Sequence, residues 1–429
     1  MSPRTVALIS LGCAKNLVDS ESLIARLKGL GFALSDDLTS VDLALVNTCG
    51  FVEEAKRESI DHILETADAL RPGARLFVTG CLAQRYRDEL RDQMPEIDCL
   101  VPLDDYADFE ALVREHFPDA PAGATPTPTR LTPPHLAYCK IAEGCDNTCT
   151  FCAIPLIRGP QVSRPIEELT AEVAAMAASG VREISLISQQ LDAYGRDRYG
   201  EPRLADLLHQ LGPAAGDAWI RLHYCYPNHL DDALIAAIAA VPNVLHYIDM
   251  PIQHASDAVL RRMGRRTTRA HIAGRIAALR AAMSDVVLRT AVIVGFPGET
   301  KDDFAELLDF VATTGFDQLG CFPFSSEEGT AAARLDGALD PATVAARQDR
   351  LMHEQARIHT ERLHAWVGRE LDVLVDGPGQ AGTIQARHYG QAFEVDNLTL
   401  VTGTAPAGSR LRVRITGTRD YDLLAEALA

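Results

Sequence analysis

What the sequence lacks narrows its class before any motif is read. It has no long apolar run near its start: Thr5 to Gly12 is the first, too short to span a bilayer. That run also lacks a charged n-region and a small-residue cleavage site, so neither a targeting peptide nor membrane association is expected. The expectation is a cytoplasmic protein. There, ten cysteines are reduced thiols, metal ligands or catalytic groups rather than disulfides. Positive charge is also short: 41 Lys and Arg face 59 Asp and Glu, for a net charge of -18. A free nucleic-acid binder needs the opposite balance, because phosphate contacts are made by Lys and Arg. At 429 residues the chain is too long for one core, so two to three domains are expected.

Composition divides the chain. "PDAPAGATPTPTRLTPP", Pro118 to Pro134, is rich in Pro, Thr and Ala and reads as a linker. Texture changes again near Trp366, from a long helical pattern to short β-type runs such as "ELDVLVDG" and "RLRVRITG". Three segments result: 1–117, 135–365 and 366–429. In the first, "TVALISLGC", "VDLALVNTC" and "ARLFVTGC" are continuous apolar runs, each followed by a helix-like stretch. Runs apolar on both faces and alternating with helices predict a parallel sheet. The middle segment repeats the alternation, with strands expected at 138–142, 183–188, 219–224, 245–250, 287–295 and 318–324. Six βα units predict a partial barrel, whose chemistry would sit at the carboxyl ends of its strands. The expected class is therefore α/β, followed by a small antiparallel β module.

Two cysteine sets carry the chemistry. In "EGCDNTCTFC", Cys145, Cys149 and Cys152 form C-x3-C-x2-C just after the first barrel strand. A structural zinc site takes four ligands in two pairs, and no fourth ligand follows at the expected distance. Three thiols on a tight loop suit three irons of a [4Fe–4S] cluster, leaving the fourth iron open. Cys13, Cys49 and Cys81 match no local motif, yet each stands where an apolar strand gives way to its helix. Parallel strands align their carboxyl ends, so these thiols are expected to converge, close to helix N-termini that favour thiolate. Buried packing cysteines are the alternative reading. Cys99, Cys139, Cys225 and Cys321 lack a repeated context and are read as packing residues.

With Phe151 before its last cysteine, the middle motif resembles the radical-SAM superfamily, named for S-adenosylmethionine (SAM). Two three-cysteine sites in this order resemble its methylthiotransferase family over essentially the whole chain. "SLGCAKNLVDSE", "VNTCGFVEEAKRESI", "KIAEGCDNTCTFCAIPLIRGPQVSRP", "IVGFPGET" and "GCFPFSSEEGT" resemble the RimO branch. The resemblance implies an amino-terminal cluster domain (1–117), a linker (118–134), a radical-SAM domain (135–365) and a terminal TRAM barrel (366–429). It implies two [4Fe–4S] clusters with SAM: a sulfur-donating one on Cys13, Cys49 and Cys81, and a SAM-binding one on Cys145, Cys149 and Cys152. The implied reaction adds a methylthio group to the β-carbon of an aspartate of small-subunit ribosomal protein S-twelve, with a flavodoxin or ferredoxin as electron donor. Methylthiolation of transfer-RNA adenosine is the sister-branch alternative.

Phe151 and Arg289 are candidate SAM contacts, with loop packing and a plain surface arginine as their alternatives. "VGFPGE" is either a SAM approach or a tight turn, and Gln253 with His254 a polar pair at a strand end. One departure stands in "SQQLDAYG": branch members carry an aspartate after the first glutamine, and this chain has Gln190 and Leu191 there, then Asp192. Charge favours the protein substrate. Residues 1–130 hold 22 acidic and 13 basic side chains, and residues 366–429 hold 8 and 6. An acidic face suits a basic ribosomal protein, and direct RNA binding is not expected.

Overall fold

The computed structural model describes residues 3–121 and 125–428. The amino-terminal sheet is built from β1 (Arg4–Ser10), β2 (Phe32–Leu34), β3 (Leu43–Thr48), β4 (Arg75–Gly80) and β5 (Cys99–Val101), in the order β2-β1-β3-β4-β5. All pairings are parallel. β3 is buried along its whole length, as its unbroken apolar run requires. The three expected strands are its centre. The two short edge strands, β2 and β5, have only three residues each and show no periodicity to read.

The middle segment contains β6 (Leu136–Lys140), a short antiparallel pair β7 (Ala142–Glu143) and β8 (Val162–Ser163), then β9 (Glu183–Ile187), β10 (Trp219–Leu222), β11 (Val244–Asp249), β12 (Val287–Val294) and β13 (Gln318–Pro323). Six of these form one open parallel sheet, β13-β12-β11-β10-β9-β6. The β7–β8 pair brackets the Cys145–Cys152 loop and holds its two ends together. The last strands, β14 (Glu370–Pro378), β15 (Thr383–His388), β16 (Thr399–Thr402), β17 (Arg410–Arg419) and β18 (Asp422–Ala427), close into a small barrel. This is the expected α/β class with its terminal β-barrel, except that one of the five barrel pairings, β16–β18, is parallel where an antiparallel module was expected.

The terminal barrel docks at the amino-terminal ends of the strands of the open sheet. Its Arg387, with Arg221 of β10, grips the buried Glu183 at 2.7 and 2.6 Å. Tyr247 donates to Asp396 at 2.7 Å, and an apolar cluster of Leu136, Trp219, Leu245, Val287 and Leu374 seals the joint. The carboxyl ends of the barrel strands are thereby left for the amino-terminal domain.

The run 118–134 is not a free tether. Residues 122–124 lie outside the described residues. Beyond them, Thr127 N–H donates to Ala25 O, Leu131 N–H to the Glu21 carboxylate, and Arg130 to Ser179. The segment is strapped to the Ala14–Gly29 helix through the N–H groups of its non-proline residues Thr127 and Leu131, which need partners. Among the described residues no helix is long and apolar enough to cross a membrane.

Candidate functional site

Strand register brings the first cysteine set together. Asn47 pairs with Ser10 on one side and Thr79 on the other, and Thr48 with Gly80. Cys49 and Cys81 are the next residues on adjacent strands, about 5 Å apart in that direction. Cys13 follows one turn beyond β1 and caps the Ala14–Gly29 helix. Gly12 has φ +88°, and a Cβ there would lie 3.2 Å from Cys49 Sγ. Only glycine keeps that space free.

The surrounding loops are tied down. Asn16 Nδ2 donates to Leu11 O and Thr48 O at 3.0 and 2.9 Å. Cys49 N–H donates to Ser59 Oγ, which donates back to Cys49 O. The thiols sense one another, and their protonation differs. Burial pushes Cys81 up to about 11 against the pull of Arg158, and burial also raises Cys49. At Cys13 the surrounding protein raises the thiol, but Lys15, the Asn16 N–H and Arg158 overcome it and hold it below its ordinary value.

The second set lies on the loop between β7 and β8. Asn147 N–H donates to Cys145 Sγ at 3.4 Å. Burial pushes Cys152 up to about 12, opposed by the Ile154 N–H. Gln190 Oε1 accepts from Asn147 and from the Cys145 thiol, so the residue in the family's aspartate position touches this loop directly. Leu191 is buried in the barrel core, and Asp192 is buried beside it, its Oδ2 accepting from Tyr226 N–H at 2.7 Å. A cavity of about 440 Å³ opens here, lined by Asn147, Thr148, Gln190, Tyr226, His229 and Arg266.

Ser188 Oγ, Gln189 Oε1, Gln190 Nε2 and Asp192 Oδ1 are buried without hydrogen-bond partners. Of these four residues Gln190 lines the cavity, where its unpaired amide N–H groups fit a polar ligand with an acceptor. Among the described residues no three Cys, His, Asp or Glu side chains converge on a single metal ion. The thiols of each set are near enough to couple electrostatically. A cubane holds its irons at separate corners, so its ligands need not meet at one point.

The other candidates occupy different places. Phe151 packs edge-on to Phe296, centroids 6.5 Å apart, joining the cysteine loop to "VGFPGE". In that turn Glu299 accepts from Gly295 and Phe296 N–H at 2.6 and 3.1 Å and pairs with Arg347, so it is braced from within. His254 is fully buried, with Nδ1 accepting from Ser256 N–H, and Gln253 bridges backbone to β12. Arg289 lies near the amino-terminal end of β12, paired with Asp249 at 3.2 Å and Asp396 at 3.3 Å. Both charges that it meets are protein carboxylates, Asp249 at the end of β11 and Asp396 of the terminal barrel, and its side chain is mostly buried between them. Cys99, Cys139, Cys225 and Cys321 are buried.

Sequence reasoning missed a charged lattice between the domains. Arg158, six residues past Cys152, donates to Cys81 Sγ, Asn16 Oδ1, Asp19 and Glu143. Lys140 reaches Asp19 and Glu143 as well. Asn16 and Asp19 stand three apart on one helix face, and Arg158 closes the apolar "IPLIR", so a polar partner for each was the available signal. Nearby, Arg85 and Lys56 clasp the buried Glu327, and Lys15 Nζ sits 3.6 Å over the Tyr224 ring.

Comparison with known proteins gives three family matches: Uncharacterized protein family UPF0004 over residues 5–102, the Radical SAM superfamily over 139–311, and a TRAM domain over 367–428. Among curated relatives, "Ribosomal protein uS12 methylthiotransferase RimO" of Anaeromyxobacter sp. (strain K) is 44% identical, covering 99% of this chain and 93% of its own. The protein of the same name from Geobacter sulfurreducens is 42% identical, covering 99% and 98%. Among solved structures, the radical S-adenosylmethionine methyltransferase TsrM from Kitasatospora setae, with cobalamin and a [4Fe-4S] cluster bound, has a TM-score of 0.58 at 14% identity, covering 75% of each chain. The cobalamin-dependent radical enzyme OxsB gives 0.52 at 13% identity, covering 83% of this chain and 56% of that one. These two likenesses concern the fold alone.

Proposed function

This chain belongs to the RimO family of radical-SAM methylthiotransferases, and from that membership we propose that it methylthiolates the β-carbon of an aspartate of ribosomal protein uS12. The relatives named above span its whole length and carry the protein-substrate name, so the transfer-RNA alternative is set aside. The working units in this reading are 1–117, 135–365 and 366–429, acting in the cytoplasm with a flavodoxin or ferredoxin as reductant. Cys145, Cys149 and Cys152 hold the SAM-binding [4Fe–4S] cluster, and Cys13, Cys49 and Cys81 hold the sulfur-donating one.

The observation that carries the two-site reading is the placement of both thiol sets at the carboxyl ends of neighbouring sheets, joined through Arg158. The target C–H is unactivated, and no side-chain base removes such a proton usefully. The bound clusters and SAM supply the one-electron chemistry that this step needs. The chain's own residues do the rest. The cysteine thiols give up their protons on loading, since thiolate is the ligand. Asn147 and Gln190 fix the Cys145 loop, and Phe151 braces it against Phe296. Arg196 and Arg266 stand at the cavity lining, where a guanidinium suits the carboxylate of the target aspartate. The acidic surface draws in a basic substrate.

The test is anaerobic incubation with SAM, a reductant and either uS12 or transfer RNA, read by mass spectrometry. A methylthio mass increment on the protein is expected. An increment on RNA alone overturns the assignment.

A further inference from the structure

We propose that Arg158 is a positioning residue for the sulfur-donating cluster: it donates a hydrogen bond to the Cys81 ligand sulfur and raises the reduction potential of that cluster. The inference rests on the reading that Cys13, Cys49 and Cys81 hold one.

Arg158 belongs by sequence to the other site. It ends the short Ile154–Arg158 helix that follows Cys152, yet its guanidinium reaches into the amino-terminal domain. Its side chain is 2% exposed. Nη1 donates to Glu143 at 2.9 Å. Nη2 faces three acceptors: Asn16 Oδ1 at 2.6 Å, Asp19 at 3.0 Å and Cys81 Sγ at 3.4 Å. With two protons on Nη2, the three compete, and a ligated thiolate gains against the neutral amide.

Lys140 decides how much charge is left for the sulfur. It already binds both carboxylates of this lattice, Asp19 and Glu143. Two cations and two anions balance without the thiol, so a thiolate at Cys81 is the added charge that the guanidinium meets. Among the described residues, no other side chain donates a hydrogen bond to a thiol of this set. Hydrogen bonds to ligand sulfur and nearby positive charge favour the reduced cluster. A plain inter-domain bolt would need only Asp19, which Lys140 serves already.

The experiment uses the full-length chain carrying Cys145→Ala, Cys149→Ala and Cys152→Ala, reconstituted anaerobically so that only the amino-terminal site can load. Its cluster is titrated by electron paramagnetic resonance at set potentials. In this parent, Arg158→Met is expected to lower the ratio of reduced to oxidised cluster about tenfold at a fixed potential, about 59 mV for a one-electron couple. Arg158→Lys keeps the charge and a fold partner for Asp19 but loses the planar fork. It is expected to shift the ratio the same way by less, and it decides the matter if the Met variant fails to fold. Folded variants with the parent's potential overturn the proposal. A parent that binds no iron overturns the site itself, and the proposal with it.

Discussion

Cys13 and Asp192 are single residues whose surroundings set opposite behaviours. Cys13 is the one thiol of its set held below its ordinary pKa, so it offers thiolate most readily. Cys13→Ala is expected to abolish methylthio transfer while SAM cleavage, followed by chromatography of 5′-deoxyadenosine, survives. Loss of both in a folded variant that keeps iron on the Cys145 loop would end the division of labour. At Asp192, burial pushes the carboxyl up to about 8 against the pull of the Tyr226 N–H. Its folded value lies above the unfolded one near 3.9, so the folded state holds the proton. That contribution is complete below about pH 4 and is lost as pH rises through 8. Asp192→Asn removes the titration, and its thermal midpoint is expected to fall less steeply than that of the parent between pH 5 and 9. A parent and variant with parallel profiles would refute this.

The strand-to-helix turns are the elements on which the first site depends. Gly80 has φ +94°, and a Cβ there would fall 2.2 Å from Asn47 Oδ1 and 2.4 Å from the Thr48 carbonyl oxygen. Gly80→Ala is therefore expected to cost about 2–4 kcal/mol and to displace Cys81. Denaturant unfolding reads the first effect. Iron analysis reads the second, with the amino-terminal site depleted and the Cys145 site still loaded. These turns also mark how far the sequence could be read. The buried strands announced themselves, because β3 and β4 have no polar face to confuse the pattern. The alignment of Cys49 with Cys81 followed from parallel strands alone. What stayed hidden was cross-domain pairing. Nothing local in Arg158 names Cys81, 77 residues away, as its partner. Arg289 shows the converse: its strand was legible, but the docking partner Asp396, 107 residues on, was not.

The whole molecule uses the two ends of one open barrel for different purposes. At the amino-terminal ends of the strands, Arg221 and Arg387 overcome the penalty of burial and hold the Glu183 carboxyl down at about 2. A depressed carboxyl stabilises above its unfolded value near 4.3, and that stability is lost as pH falls towards 2. The window carries roughly 3 kcal/mol. Undocking of the terminal barrel is expected to begin in it, seen as new protease cleavage near Trp366. Glu183→Gln leaves the buried Arg221 guanidinium without its anion, while Arg387 keeps Asp376, and is expected to bring that cleavage to neutral pH. Unchanged digestion would show that the apolar contacts suffice. At the other end, the Arg158 and Glu327 clasps join the amino-terminal domain to the barrel, and the strap from Thr127 to Leu131, along the first helix, holds the same two bodies. Three fastenings make the gap between the thiol sets a built dimension, a gauge and not a jaw. The give must come from the visitor. Such a gap is expected to take an aspartate that stands out on a slender loop ahead of an equally acidic side chain on a flat face.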